Sequence, residues 1–303
     1  MIDLCTLGTG GTLPMPERAL SSLYVRVNGR ILLIDCGEGT QVQVRKCGWG
    51  FIHVDAILIT HYHADHCSGL TGFLLSIAKT HRTEPVHIYG PVGLRTVYQG
   101  LMVIAPTLTF PVVLHELRGG EEFEAIGLSI RCFPVNHGMP CLGYRFDLHR
   151  PAAFDPVKAR ALDVPVAMWK LLQRGESVTV EDRLIRPGEV TGAPRKGLSF
   201  LYSTDTRPVP ALIEQGAGTD LMILEGMYGD DEKIPQAHKN HHMIFHEAAD
   251  LARQAGTRKL ILTHYSTCIE DPLPYLPLAQ EVFAQTECAF DGMTAKLCFE
   301  GNA

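Results

Sequence analysis

Four side chains able to bind a metal stand within six residues in His61-Tyr62-His63-Ala64-Asp65-His66, directly after an apolar β-type run over residues 56–60. In an extended segment, residues two apart face the same side, so His61 and His63 can reach one cation. A tightening turn then lets Asp65 and His66 point to a neighbouring one. Neutral imidazole and carboxylate are natural ligands of Zn²⁺ and of related divalent ions. A cluster of this density constrains the fold, because its remaining donors must come from distant points of the chain.

Three further candidates also follow strand-like runs. His137 follows residues 130–135, Asp205 follows 199–202 within Ser203-Thr204-Asp205-Thr206-Arg207, and His264 follows 260–263. Single histidines at strand ends are usually structural, so each is weak alone. Taken with the hexapeptide they supply seven ligands at the ends of four strands. Two ions sharing Asp205 would use all seven, and such a pair suits hydrolysis of a phosphodiester.

The rest of the chain reads as a frame for those strand ends. Residues 4–7 form a β-type run leading to Gly8, Gly10 and Gly11, and 22–27 and 31–34 flank the hairpin signal Asn28-Gly29. Further strands are expected at 86–89, 112–117, 128–134, 142–147, 198–202, 221–224, 259–263 and 295–299. Helices are expected at 68–79, at 244–254 with Gly256 as its cap, and at 276–285. Strands and helices alternate in two halves, which predicts an α/β architecture of two packed sheets with helices outside. No repeat relates the halves.

Residues 150–196 break the pattern. They lack a long apolar strand and carry nine Lys and Arg against six Asp and Glu, whereas the whole chain carries 27 against 33. With little to bury, the segment reads as a protruding insertion in a single domain spanning 1–303. A charged surface excursion is the plainer alternative.

Composition bounds the function classes. With 46% hydrophobic residues and a net charge of −6, the 303-residue chain has ample core but no global basic field. An RNA partner would have to be met by local patches or bound cations. Nine cysteines with no C-x-x-C pair predict reduced thiols in the cytoplasm. Met1-Ile2-Asp3-Leu4 has no basic leader region, and no apolar run is long enough to span a membrane.

His61-Tyr62-His63-Ala64-Asp65-His66 matches the H-x-H-x-D-H signature of metallo-β-lactamase-fold hydrolases, and over nearly its full length the chain resembles ribonuclease Z, the tRNA 3′-processing endonuclease. The stretches that tie it to that branch are Leu7-Gly8-Thr9-Gly10-Gly11, Asp35-Cys36-Gly37-Glu38-Gly39-Thr40-Gln41 and Ser203-Thr204-Asp205-Thr206-Arg207-Pro208. The resemblance implies an αββα sandwich holding two Zn²⁺ per subunit, with Mn²⁺ as an alternative. His61, His63, His137 and Asp205 would hold one ion, and Asp65, His66, Asp205 and His264 the other. It also implies precursor tRNA as substrate, a homodimer, and a tRNA-gripping arm at 150–196. A catalytic trio of Asp65, His242 and Glu225 follows from the same resemblance, His242 giving a proton to the leaving 3′ oxygen and Glu225 fixing its ring. His242 is expected to open the helix that continues to Ala249, with the neighbouring His241 as the alternative donor.

The chain departs from the family at three places. Glu225-Gly226-Met227 stands where the family has His-Glu-Ala-Thr. Pro16 and Ala19 replace the Lys and Asn of a loop that touches the tRNA 3′ end, leaving Arg18 as the candidate substrate contact. Val166-Ala167-Met168-Trp169 replaces a Gly-Pro-rich arm tip, and Trp169 either stacks on a base or pins the arm. Two other functions fit the same residues: hydrolysis of small phosphodiesters or sulfate esters, and RNA binding without catalysis.

Overall fold

Several strands in this chain read as near-continuous apolar runs, and the architecture explains why. In the strand Arg30–Ile34, Ile31 and Leu33 face an outer helical layer, while Leu32 and Ile34 face a second sheet. Both faces are buried, so the period-two alternation of a half-exposed strand disappears. The computed structural model of the protein describes residues 1–299.

Up to Leu148 the strands run β1 (Ile2–Gly8), β2 (Ser22–Val27), β3 (Arg30–Ile34), β4 (Val54–Leu58), β5 (Val86–Pro91), β6 (Val112–Leu117), β7 (Glu122–Ala125), β8 (Leu128–Pro134) and β9 (Leu142–Leu148). β10 (Val178–Val180) and β11 (Arg183–Ile185) form a separate hairpin. Then come β12 (Leu198–Ser203), β13 (Leu221–Glu225), β14 (Leu260–Thr263), β15 (Thr286–Cys288) and β16 (Thr294–Leu297).

Two seven-stranded sheets result, ordered β16-β1-β2-β3-β4-β5-β6 and β15-β14-β13-β12-β9-β8-β7. Their facing sides share one core, in which Val25, Leu32 and Leu58 meet Ile130, Phe146, Phe200 and Ile223. Phe146 and Phe200 stack face to face with centroids 4.2 Å apart. The helices Thr40–Cys47 and Leu70–Ala78 cover the outer side of the first sheet. Pro210–Gly216, Phe245–Ala255 and Leu276–Val282 cover that of the second. This is the expected αββα sandwich.

Several short elements escape the sequence pattern. The helices Thr40–Cys47, Leu94–Met102, Pro210–Gly216 and Ile234–Asn240 were not anticipated, nor were β7 and β15. β7 is a partly exposed edge strand of four residues, too short for its alternation to stand out. The helix expected over 68–79 forms as Leu70–Ala78, and a separate short helix, Ala64–Cys67, precedes it. Helix Phe245–Ala255 begins after His242, which therefore sits in the loop before it.

The chain divides into two compact units, one made of Met1–Leu148 with everything from Leu198 onward, the other of His149–Gly197. The second unit has its own small core of Ala159, Val164, Leu172, Val178, Ile185 and Val190. The sequence suggested little to bury here, yet short apolar residues from two helices and a hairpin converge. Asp155 caps the helix Pro156–Ala161, accepting from the amides of Val157 and Lys158. Trp169 packs within this unit, its indole N–H donating to the Val164 carbonyl at 2.9 Å and its ring lying against Phe154. Among the described residues no helix is long and apolar enough to cross a membrane.

Because Phe146 and Phe200 fill the space between the sheets, Phe146→Ala should lower unfolding free energy by about 3–5 kcal/mol. Urea denaturation followed by far-UV circular dichroism measures this as a fall in midpoint with the slope unchanged.

Candidate metal centre

Strand carboxyl ends from both sheets deliver the candidate ligands to one place. β4 runs through Ile59 and Thr60 into His61, β8 is followed by His137, β12 by Asp205 and β14 by His264. Asp205 and His264 adopt left-handed backbone, with φ of 40° and 58°, as does Asp35 after β3, with φ of 56°. Such conformations are uncommon outside glycine and are tolerated best by Asp, Asn and His. The bends lie where the chain leaves each strand, next to the cluster.

The seven candidates fall into two groups joined by one carboxylate. On one side, His61 Nε2 and His137 Nε2 lie 3.7 and 3.8 Å from Asp205 Oδ2. His63 Nδ1 lies 3.0 Å from the first of those nitrogens and 3.2 Å from the second. On the other side, His66 Nε2 and His264 Nε2 each lie 3.2 Å from Asp205 Oδ1 and 3.5 Å from Asp65 Oδ2. Asp205 thus turns one oxygen toward each group.

Outer hydrogen bonds orient the rings. His66 Nδ1 donates to Asp35 Oδ2 at 2.8 Å, and His61 Nδ1 donates to Thr60 Oγ1, which itself donates to Asp35. His137 Nδ1 donates to the His241 carbonyl at 3.3 Å. Each bond places the proton on Nδ1 and leaves the Nε2 lone pair facing the cluster, the tautomer a metal ligand needs. His264 is held differently. Its ring lies flat against Gly11, where a Cβ would stand 2.6 Å from Cε1. The next residue, Thr12, donates its amide to Asp65 Oδ2 at 2.6 Å.

The electrostatics call for positive charge at this point. Burial opposes ionisation of Asp205, but His264, His66 and His61 outweigh it and hold the carboxyl well below its usual range. Burial likewise pushes His66 toward the neutral form, yet Asp205 and Asp35 raise it. Asp205 Oδ1 is buried without a hydrogen bond. An orphaned carboxylate oxygen facing imidazole nitrogens on both sides is a donor set that fits divalent cations.

Beside this cluster stands the second constellation. Glu225, fully buried at the end of β13, accepts from His242 Nδ1 at 2.9 Å and from the Thr206 amide at 2.5 Å. Burial alone would lower the His242 pKa, but the Glu225 carboxylate outweighs it and raises the imidazole to about 9. His242 Nδ1 is 4.0 Å from Asp205 Oδ2, so the ring borders the cluster. His241 does not meet Glu225; it adopts left-handed backbone, and its carbonyl receives His137.

The two candidate substrate contacts are engaged internally. Arg18 is buried, its guanidinium donating to the carbonyls of Ser266 and Glu270 and lying over the Tyr265 ring. Trp169 is occupied within its own unit as described above. Several residues that sequence reasoning did not single out emerge as supports. Asp35 anchors His66 and Thr60. Arg207 donates to the His242 carbonyl and is paired with Glu247. Asp291 receives the amides of Thr9 and Ala19, clamping both flanks of the loop that carries Gly11 and Thr12. Only Asp35 and Arg207 left a trace in the sequence, as members of the quoted stretches around residues 35–41 and 203–208.

Comparison with known proteins agrees with this geometry. A family model described as Anti-Pycsar protein Apyc1 matches residues 2–139, and one described as beta-lactamase superfamily domain matches residues 179–265. The chain is 44% identical to Ribonuclease Z of Lachnoclostridium phytofermentans, covering 100% of both chains. It is 46% identical to Ribonuclease Z of Lachnospira eligens, covering 99% of each. Among solved structures it is similar to the short form of human tRNase Z, with a TM-score of 0.71, 23% identity and coverage of 98% of this chain and 100% of that one.

Asp35→Asn keeps the size of the side chain but removes an acceptor from His66. It should weaken retention of a divalent cation about 10- to 100-fold, measured by competition against a chromogenic chelator, with the circular dichroism spectrum unchanged.

Proposed function

The chain belongs to the ribonuclease Z family, and from that premise we propose that it is a metal-dependent endoribonuclease cutting precursor tRNA at its 3′ end. The observation that carries this reading is the pairing of two donor groups on the oxygens of Asp205 beside the His242–Glu225 pair. His61, His63, His137 and Asp205 would hold one cation, and Asp65, His66, Asp205 and His264 the other. Zinc suits the nitrogen-rich donor set, two ions per subunit, with manganese the alternative. Such a pair, when bound, makes water nucleophilic at neutral pH and offsets charge developing on the phosphate.

The remaining chemistry belongs to the chain's own side chains. Hydrolysis breaks the bond between phosphorus and the 3′ oxygen, leaving a 3′-hydroxyl on the tRNA and a 5′-phosphate on the trailer. An alkoxide is a poor leaving group until it is protonated. His242 carries a proton at neutral pH, because Glu225 holds its ring as the cation. With Nδ1 committed to Glu225, Nε2–H is the proton available to the departing oxygen. Asp65 serves as a ligand and, through the Thr12 amide, ties the glycine loop to the same group.

Residues 150–196 serve as the arm that grips tRNA. Support comes from their positive balance and from a cavity of about 670 Å³ within this unit, lined by His149, Arg174 and Arg195 among others. Phosphate contacts of this kind position a nucleic acid without reading its sequence. Given the internal partners of Arg18 and Trp169, their proposed substrate contacts would require the surrounding packing to open. The enzyme acts as a homodimer in the cytoplasm, where precursor tRNA is found.

Four measurements test this reading. His242→Ala should lower kcat on 3′-extended tRNA by about 10²–10⁴-fold with little change in KM, and an unaltered kcat would remove His242 as proton donor. Asp65→Ala should abolish hydrolysis in a protein that still folds, and exhaustive chelation of the wild type should do the same until zinc or manganese is restored. Deleting residues 150–196 should cripple cleavage of 3′-extended tRNA while sparing bis(p-nitrophenyl) phosphate; undiminished tRNA cleavage would defeat the role given to the arm.

A further inference from the structure

Away from the histidine cluster, two nucleophilic side chains meet. Cys5 lies on the side of β1 that faces the outer helical layer, and Cys47 is the last residue of the helix Thr40–Cys47, which packs on that strand. Both side chains pack in the same apolar cluster. Cys5 is buried, whereas Cys47 is half-buried. Both line a cavity of about 340 Å³ that also takes in Glu17, Gln43, Lys46 and Asp291.

The two thiols differ in chemical character. The neighbouring Cys5 thiol lowers the Cys47 pKa most; burial opposes it, and the Trp49 amide and the Arg26 guanidinium add to the lowering, so that Cys47 comes down to about 7. Arg26 is fixed nearby, stacked on Trp49 and paired with Asp3 at 3.2 Å. Cys5 is pushed strongly the other way by the neighbouring Cys47 and by burial. By contrast, burial raises Cys67, Cys132 and Cys288 to about 11. A half-buried, acidified thiol beside a fully buried one, both on the wall of one cavity, is the arrangement of an attacking and a resolving cysteine.

We propose that Cys5 and Cys47 form a peroxide-reactive dithiol site in which Cys47 attacks and Cys5 resolves, closing a disulfide between β1 and the helix Thr40–Cys47. With a hydroperoxide as oxidant, the Cys47 sulfur attacks the distal oxygen and the O–O bond breaks. The alkoxide, or hydroxide from hydrogen peroxide, leaves and takes up a proton from water, giving a sulfenic acid on Cys47. Cys5 then attacks that sulfur, the S–O bond breaks, and the departing hydroxide takes the Cys5 proton to become water. Both sulfurs are oxidised by one electron each, and the peroxide is reduced by two. A small dithiol reverses the product by exchange. This site is independent of the substrate of the metal centre, so it stands or falls on its own test.

The test treats the full-length protein with one equivalent of hydrogen peroxide, blocks free thiols, and maps peptides without reduction. The expected result is a linked pair of peptides containing Cys5 and Cys47, two hydrogens lighter than their sum, that dithiothreitol separates. In Cys5→Ser the reaction should stop at the sulfenic acid, and dimedone should label Cys47. Oxidation of the exposed Cys268 or Cys298 ahead of Cys47 would overturn the proposal. So would a Cys47 that reaches sulfinic acid in the wild type while Cys5 stays reduced.

Discussion

The carboxylate of Asp205 is the point on which the site is organised. It is 2% exposed, and its two oxygens face four imidazoles, Oδ2 toward His61 and His137 and Oδ1 toward His66 and His264. An ionised carboxylate removed from water costs several kcal/mol unless compensating charge stands beside it. His61 and His137 are pushed by burial toward the neutral form and supply lone pairs rather than charge, and two further carboxylates, Asp65 and Asp35, lie close by. The fold therefore concentrates negative charge and unshared electron pairs at one buried point. Divalent cations relieve that condition, which couples their binding to the stability of the folded chain.

Bringing those groups together makes demands on the backbone. Asp35, Asp205 and His264 each turn left-handed just after a strand, a conformation that costs non-glycine residues about 1–2 kcal/mol each. The strands can hold such bends because they are rigid and buried on both faces. Asp35 is further fixed by the Thr60 amide and hydroxyl, and Asp205 is flanked by Thr206, whose amide is bound by Glu225. The apolar runs that identify the strands are thus also what keeps the donors in place.

That division explains what could be read from the sequence. The hexapeptide at 61–66 and the strand-end residues His137, Asp205 and His264 are visible because donor type and strand periodicity are local signals. The two-sheet architecture follows from the alternation of runs. Asp291 carries no such signal, since it acts on Ala19 from 272 residues away. Asp35 stands in a quoted stretch, but its role as a support does not show there, its partner His66 being reached only once β3 and β4 pair side by side. The loop position of His242 was missed because His241 and His242 precede the apolar pattern of the helix without an obvious break, and the helix Ile234–Asn240 before them is too short to show a period. The small core of residues 149–197 was missed for a related reason. Its members are single apolar residues scattered among charges, and only their convergence makes them a core.

One network binds the cation-holding side of the site to the side that carries the proton. Arg207, two residues beyond Asp205, donates to the His242 carbonyl and is paired with Glu247. Glu247 in turn accepts the Ile244 amide at the start of the helix Phe245–Ala255. The Arg207 amide donates to the Asn136 carbonyl, next to His137, and the Asn136 amide donates to Thr206 Oγ1. The loops after β8, β12 and β13 therefore cannot shift separately from the loop bearing His242. Linked polar groups in a buried setting strengthen one another, and removing one member weakens the rest. The distance between the shared carboxylate and the proton-bearing ring is thus set by a closed circuit of hydrogen bonds rather than by the packing of either loop alone.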